Sequence, residues 1–320
     1  MAGEFDLIRE YFEGHGRTPS VPLGIGDDCA VMAPPMDRDV AVTTDTQNEG
    51  VHFFKGTDPR LLGWKSLLVN VSDLAAMGAE PWCFTLSLTI PDSSESFLRP
   101  FSEGLFDLAS RCRMGLIGGN TSRGPLSVTI EAFGLLPKGR ALRRDGGRAG
   151  DLIYVTGTLG LPGLYVDAGY GKVKASPEQL SLLCEKSMLI APRHEFASEL
   201  LRLGLSSCAI DVSDGVVGDL RHIVERSAVG AELDLDALPQ ADELSQLLPD
   251  EDARIYDAAY GGGDYELLFT SAPGKAGAVR ALSARTGVSV TCIGRLCGRS
   301  LKIMKDDKIA TPARRPFEHF

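Results

Sequence analysis

Residues 23–31, LGIGDDCAV, set two neighbouring carboxylates, Asp27 and Asp28, on a Gly-Ile-Gly hinge before a short apolar run that resembles a strand. Adjacent carboxylates repel each other, so either water screens them in a turn or something positive sits there. Four further corners rich in oxygen ligands lie beside glycine or at element ends. They are Thr43, Thr44, Asp45 and Thr46 in TTDT, Asp73 in NVSDLAAMGA, Gly119 and Asn120 in GGNTSRG, and Asp211, Ser213 and Asp214 in IDVSDG. Hard cations such as Mg2+ take oxygen ligands in octahedral array, usually a few carboxylates with substrate phosphates and water. Five such corners would form a cradle for several Mg2+ ions. Taken singly, each has a plainer account, because an Asp after Gly is commonly a turn or cap residue. Asp73 is the exception: it falls late in an otherwise apolar, small-residue helix, where a carboxylate needs a partner. A metal or a cap would serve.

Phosphate-binding patterns narrow the chemistry. There is no G-x-x-x-x-G-K-[ST], and no G-x-G-x-x-G follows a strand, which argues against a P-loop and against a dinucleotide fold. GGNTSRG offers glycine N–H groups that an anion can approach closely, followed by hydroxyls and Arg123. Arg140, Arg143 and Arg144 in RALRR supply planar forks suited to phosphate oxygens, although a basic linker is more often simply solvated. His52, between apolar neighbours in EGVHFF, is a substrate hydrogen-bond candidate or a packed core histidine. No Ser/His/Asp constellation is legible.

The elements that must position these groups alternate between two periods. DVAVTTDT (39–46), CFTLSLTIP (83–91), LSVTIEAFGLL (126–136) and LIYVTG (152–157) predict strands. Residues 58–79 repeat apolar side chains at helical spacing and stop at Gly78, and 95–112 predicts a second helix leading into MGLIGGNTSRG. Residues 138–150 are basic and glycine-rich, with no apolar period, which predicts two domains, 1–145 and 146–320. GIGDDCAV and AIDVSDGV form a weak echo between the halves, each read as a strand ending in paired aspartates next to glycine.

The 320 residues carry 33 basic and 43 acidic side chains, a net charge of −10, which argues against nucleic acid or an anionic membrane as the main partner. Seven cysteines without a C-x-x-C predict a reducing, cytoplasmic setting and neither a disulfide scaffold nor a zinc site. No apolar run approaches the roughly 18 residues of a membrane helix, and the opening MAGEFDLIREYF is not a signal peptide.

In order and spacing, GIGDDCAV, TTDTQNEGVHF, NVSDLAAMGAEP, GGNTSRGP, GRALRRDGGRAGD, YVTGTLG, IDVSDGVVGDLRHI and GGGDYELLF resemble the thiamine-monophosphate kinases, a family of the aminoimidazole ribonucleotide synthetase-like superfamily. The resemblance runs over nearly the whole chain. It implies an α/β (α+β) two-domain fold, a homodimer whose N-terminal mixed sheets form a β-barrel, and a C-terminal α/β domain. It implies ATP and thiamine monophosphate as substrates, thiamine diphosphate as product, and several Mg2+ ions. Carried over by position, Asp28, Thr43, Thr44, Asp45, Asp73, Asn120, Asp211 and Asp214 would hold metal. Gly119, Asn120, Arg144 and Ser213 would contact ATP, and His52, Gly263 and Phe317 the second substrate. Asp45, Asn120 and Arg144 would carry catalysis by positioning and charge stabilisation, with no protein nucleophile.

Two departures stand out. The family reads G-G-D-T where this chain has Asn120, whose amide oxygen can ligate a cation without adding charge. The family reads G-G-E-D-Y-E-L where this chain has Gly263, which removes a substrate-facing carboxylate, a loss of about 1.5–3 kcal/mol where the hydrogen bond is to a charged group. Two alternatives follow: a homologue that binds nucleotide or thiamine phosphate without turnover, and an enzyme of the same fold acting on a different small substrate.

Overall fold

The computed structural model describes residues 4–15, 18 and 20–310. Phe317 lies outside them. The chain divides into two units, one built from residues through Leu74 with Ala79–Arg140, the other from Ala75–Gly78 and residues from Ala141 on.

The first unit runs α1 (Glu4–Tyr11), β1 (Arg38–Asn48), α2 (Pro59–Ala76), β2 (Glu80–Ile90), α3 (Glu95–Arg111), β3 (Gly115–Arg123) and β4 (Ser127–Pro137). Its four strands lie in the order β1-β4-β2-β3, with β1–β4 and β4–β2 antiparallel and β2–β3 parallel. A parallel pair needs a crossover, and α3 supplies it. Along β4 the side chains alternate: Val128, Ile130, Ala132 and Leu136 are buried, while Glu131 between them is exposed. Fully buried Leu67, Leu68, Val71 and Leu74 of α2 and Leu98, Phe101, Leu105 and Leu108 of α3 complete the core. α2 stops where glycine allows it: Gly78 has φ +73°, and its N–H and that of Ala79 return to Ala75 and Leu74 carbonyls. On the opposite sheet face, Val21 and Ala30 pack with Cys83, Ile117, Phe133 and Leu135, and the β1 side is left open. Val40, Val42, Thr44 and Thr46 of edge strand β1 are exposed on it, and within one chain the sheet does not close into a barrel.

The second unit runs β5 (Leu152–Thr156), α4 (Leu161–Gly169), α5 (Pro177–Met188), α6 (His194–Arg202), β6 (Cys208–Asp211), α7 (Val216–Ser227), β7 (Ala231–Asp234), α8 (Asp242–Leu247), α9 (Glu251–Tyr260), β8 (Leu267–Ser271), α10 (Ala276–Thr286), β9 (Val290–Leu296), β10 (Leu301–Lys305) and β11 (Lys308–Ile309). The seven strands lie in the order β11-β10-β7-β9-β5-β8-β6. All five residues of β8 are buried, as a strand inside the sheet requires. The apolar stripe of α7 (Val216, Val217, Leu220, Ile223) joins Ile153, Val155, Ile210, Leu268 and Ile293 in one core.

Two expectations fail locally. Residues 23–31 form no named strand, only single bridges, Leu23 with Val31 and Ile25 with Asp27, because the apolar run is too short to sustain a ladder. GGNTSRG, an oxygen-rich corner at an element end, is the end of strand β3, paired in parallel with β2. The echo between halves therefore holds only in the second, where Asp211 ends β6.

Candidate active site

In the first unit, β1 alternation sends Thr43 and Asp45 to the face opposite the exposed Thr44 and Thr46. The helix covers that side: the Thr43 hydroxyl donates to Oδ2 of Asp73, which α2 presents half-buried from its last turns. The partner that Asp73 requires is therefore a hydroxyl from the TTDT strand. Asp27 and Asp28 are exposed, and the Asp28 N–H donates to Asp27 Oδ1 at 3.2 Å. Water and a local amide thus answer the repulsion between them.

Gly119 and Asn120 sit on β3, at the far edge of the sheet from β1. Register carries Asp45 across Ile130 and Leu86 to Gly119. Three inter-strand spacings put the Asp45 and Gly119–Asn120 main chains about 14 Å apart. Within one chain, therefore, Asp45 and Asn120 do not share a cation. Gly119 is a steric necessity, since an added Cβ would lie 1.9 Å from the Leu86 carbonyl oxygen. His52, expected as packed or substrate-facing, is exposed, and its Nδ1 accepts the Asn48 N–H at 3.0 Å.

In the second unit the IDVSDG segment is held from several sides. Val212 N–H donates to the Glu266 carbonyl at 2.8 Å, Tyr265 N–H to the Val212 carbonyl at 2.8 Å, and Gly263 N–H to the Ser213 carbonyl at 2.7 Å. IDVSDG and GGGDYE, 50 residues apart in sequence, are thus laced together. Gly263 has φ +86°, a region that side chains rarely adopt, and a Cβ there would meet Pro162 Cβ at 3.2 Å. Glycine at this position has a backbone reason as well as a missing carboxylate. Arg144 is exposed, and its carbonyl accepts from Ser227 Oγ at 2.8 Å.

Two features were not singled out in the sequence. Asp219, 2% exposed on the first turn of α7, reaches back to accept the N–H groups of Ser213 and Asp214, each at 3.1 Å from Oδ2. Burial, together with the nearby Asp211 and Asp214 carboxylates, pushes its carboxyl up to about 8. The signal was an acid in the first turn of a helix, just past a turn already rich in acids. The second feature is a buried network under GGGDYE. Glu266 pairs bidentately with Arg193, at 2.5 Å for each bond, and Thr156 Oγ1 donates to Glu266 Oε2 at 2.5 Å. No local pattern announces a pair separated by 73 residues.

Among the described residues no three His, Cys, Asp or Glu side chains gather closely enough to hold a metal ion by themselves. What the first unit offers is a hard-oxygen set from Thr43, Asp45 and Asp73, the donor chemistry of a Mg2+ site completed by substrate oxygens and water. The set fits that ion.

The two units correspond to known domains. Residues 26–136 match the AIR synthase related protein N-terminal domain and residues 148–306 its C-terminal domain, so fold and site define an AIR synthase related protein of two mixed α/β domains. Thiamine-monophosphate kinase of Escherichia coli (strain K12) is 43% identical over 323 residues, 99% of this chain and 98% of that one. The crystal structure of thiamine-monophosphate kinase from Stenotrophomonas maltophilia K279a superposes with a TM-score of 0.83 at 39% identity, covering 91% and 92% of the two chains. AaThiL complexed with AMPPCP and TMP superposes with a TM-score of 0.76 at 28% identity, covering 92% of each. The chain belongs to the thiamine-monophosphate kinase family, as its motifs imply.

Proposed function

We propose that this protein transfers the γ-phosphoryl group of ATP to thiamine monophosphate, forming thiamine diphosphate and ADP. A phosphate oxygen of thiamine monophosphate forms the new P–O bond while the γ-phosphorus bond to the ADP oxygen breaks. The observation that carries this reading is the 43% identity to a thiamine-monophosphate kinase along 99% of the chain. The hydroxyl–carboxylate corner of Thr43 and Asp73 beside Asp45 supports it. Bringing two polyanions together requires neutralisation of their charge and in-line positioning, which the residues can supply without a nucleophile of their own.

Asp45, Asp73 and Thr43 would hold Mg2+ in the first unit, with Asp28 and Thr44 as further donors, and Asp211 and Asp214 would hold it in the second. Bound Mg2+ supplies charge neutralisation on the phosphates. Asn120 would serve a cation other than the one at Asp45. Gly119, Asn120, Arg144 and Ser213 are assigned to ATP, with the Arg144 guanidinium free to swing onto phosphate from an exposed position. Thiamine monophosphate is assigned to His52, Gly263 and Phe317. The domains are assigned as 1–145 and 146–320. A homodimer through the exposed β1 side of the first sheet is supported by the exposed Val40 and Val42, and Val42→Lys should shift the sedimentation coefficient to that of a monomer.

The test is a coupled assay for thiamine diphosphate from ATP and thiamine monophosphate with Mg2+. Product at one equivalent per ADP is expected. Calorimetric binding of both ligands with no product would favour instead the non-catalytic reading that Asn120 and Gly263 raise.

A further inference from the structure

We propose that Asp219 is a positioning residue for phosphoryl transfer: its carboxylate fixes the Ser213–Asp214 turn in the shape that presents Asp211, Ser213 and Asp214 to nucleotide and cation. The inference rests on the kinase reading of that turn. Asp219 is 2% exposed and sits beside two other acids, a placement that desolvation and repulsion both oppose. What it provides in return is specific. Oδ2 takes the N–H groups of both Ser213 and Asp214 at 3.1 Å, while the Asp219 N–H returns to the Gly215 carbonyl at 3.0 Å. The side chain closes a loop on its own helix start, since Cβ vectors point toward the helix N-terminus.

The carbonyl side of the same turn is tied elsewhere, with Val212 accepting from Tyr265 and Ser213 from Gly263. Asp219 therefore governs the two amides that the lacing to GGGDYE leaves over. Without it those amides have no acceptor on α7, and the turn that carries Ser213 and Asp214 is released while the strand pairing beneath it persists. Asparagine at 219 keeps an acceptor oxygen at the same reach, so it should act as a conservative rescue. Alanine should not.

The experiment uses the full chain and AMPPCP with Mg2+ as probe. Affinity is measured by calorimetry, amide exchange at Ser213 and Asp214 by NMR, and the KM for thiamine monophosphate by assay. Expected for Asp219→Ala is a loss of about thirtyfold in AMPPCP affinity, with both amides exchanging fast. Expected for Asp219→Asn is a loss of about threefold with the amides still protected. The KM for thiamine monophosphate should not move in either. A folded Asp219→Ala with wild-type affinity overturns the proposal, as does an Asp219→Asn as weak as alanine although its amides stay protected. If Asp219→Ala does not fold, Asp219→Ser, too short to reach both amides, replaces it with the same two outcomes. Wild type that binds AMPPCP but forms no thiamine diphosphate sinks the kinase reading and leaves the affinity comparison intact, whereas wild type that does not bind AMPPCP sinks both.

Discussion

The two units carry their carboxylates in opposite ways. In the first, Asp27 and Asp28 are exposed on a loop and Asp73 is half-buried against the Thr43 hydroxyl, so water and one hydroxyl already satisfy the charge. In the second, Asp211 at the end of β6 and Asp219 at the start of α7 are buried, and backbone amides satisfy Asp219. The difference teaches where folding and function separate. A solvated acid can wait for a cation at little cost to the fold, whereas a buried one must be answered by the protein itself. The first unit is therefore read as meeting substrate charge with solvated acids, and the second as presenting Asp211, Ser213 and Asp214 to it from a rigid frame.

The largest effect should appear in the frame. Arg193→Ala leaves Glu266 buried without its charged partner, and unfolding free energy should fall by about 3–5 kcal/mol in denaturant titration. A loss below about 1 kcal/mol would break the contrast. Asp45→Ala in the first unit should do the reverse. The thiamine diphosphate assay should show a loss of roughly 10²–10³-fold in kcat, while the unfolding free energy stays within about 0.5 kcal/mol. Gly263→Glu should cost about 1–2 kcal/mol of stability, because φ is +86° there and Pro162 crowds the new Cβ. That cost offsets any gain from restoring the carboxylate.

The smallest effect sharpens the same contrast through thiols. Cys208, on the strand that ends in Asp211, is pushed up to about 11 by burial, and Cys83 to about 12. Both keep their protons at pH 8 and should resist iodoacetamide, read by mass spectrometry, while exposed Cys29 and Cys292 are alkylated first. The folded thiols hold protons that the unfolded thiols release above about pH 9. Stability contributed by these thiols is thus complete below pH 9 and lost as pH rises toward 11–12, by under about 1 kcal/mol each at pH 9.5.

Much of this was legible in the chain. The 39–46 and 126–136 strands and the 58–79 helix fall within or around β1, β4 and α2, because long stretches of regular apolar spacing leave few alternatives. The two-domain α/β architecture followed from the ordered motifs. What escaped were features without a local period. Residues 23–31 lack enough apolar neighbours to form a strand, and the glycines of GGNTSRG, read for their approach to an anion, include Gly119, which closeness to Leu86 within the sheet demands. The separation of Asp45 from Asn120 depends on strand order, which sets β4 and β2 between β1 and β3. Asp219 and the Arg193–Glu266 pair act across the fold or back along a helix, where sequence spacing carries little.

The central claim, that the solvated corner of the first unit receives the cation, is tested most directly by anomalous diffraction from crystals grown with Mn2+ and AMPPCP. The account predicts a peak at coordination distance, about 2.1 Å, from carboxylate oxygens of both Asp45 and Asp73. Manganese found with the nucleotide, but away from both residues, would contradict it.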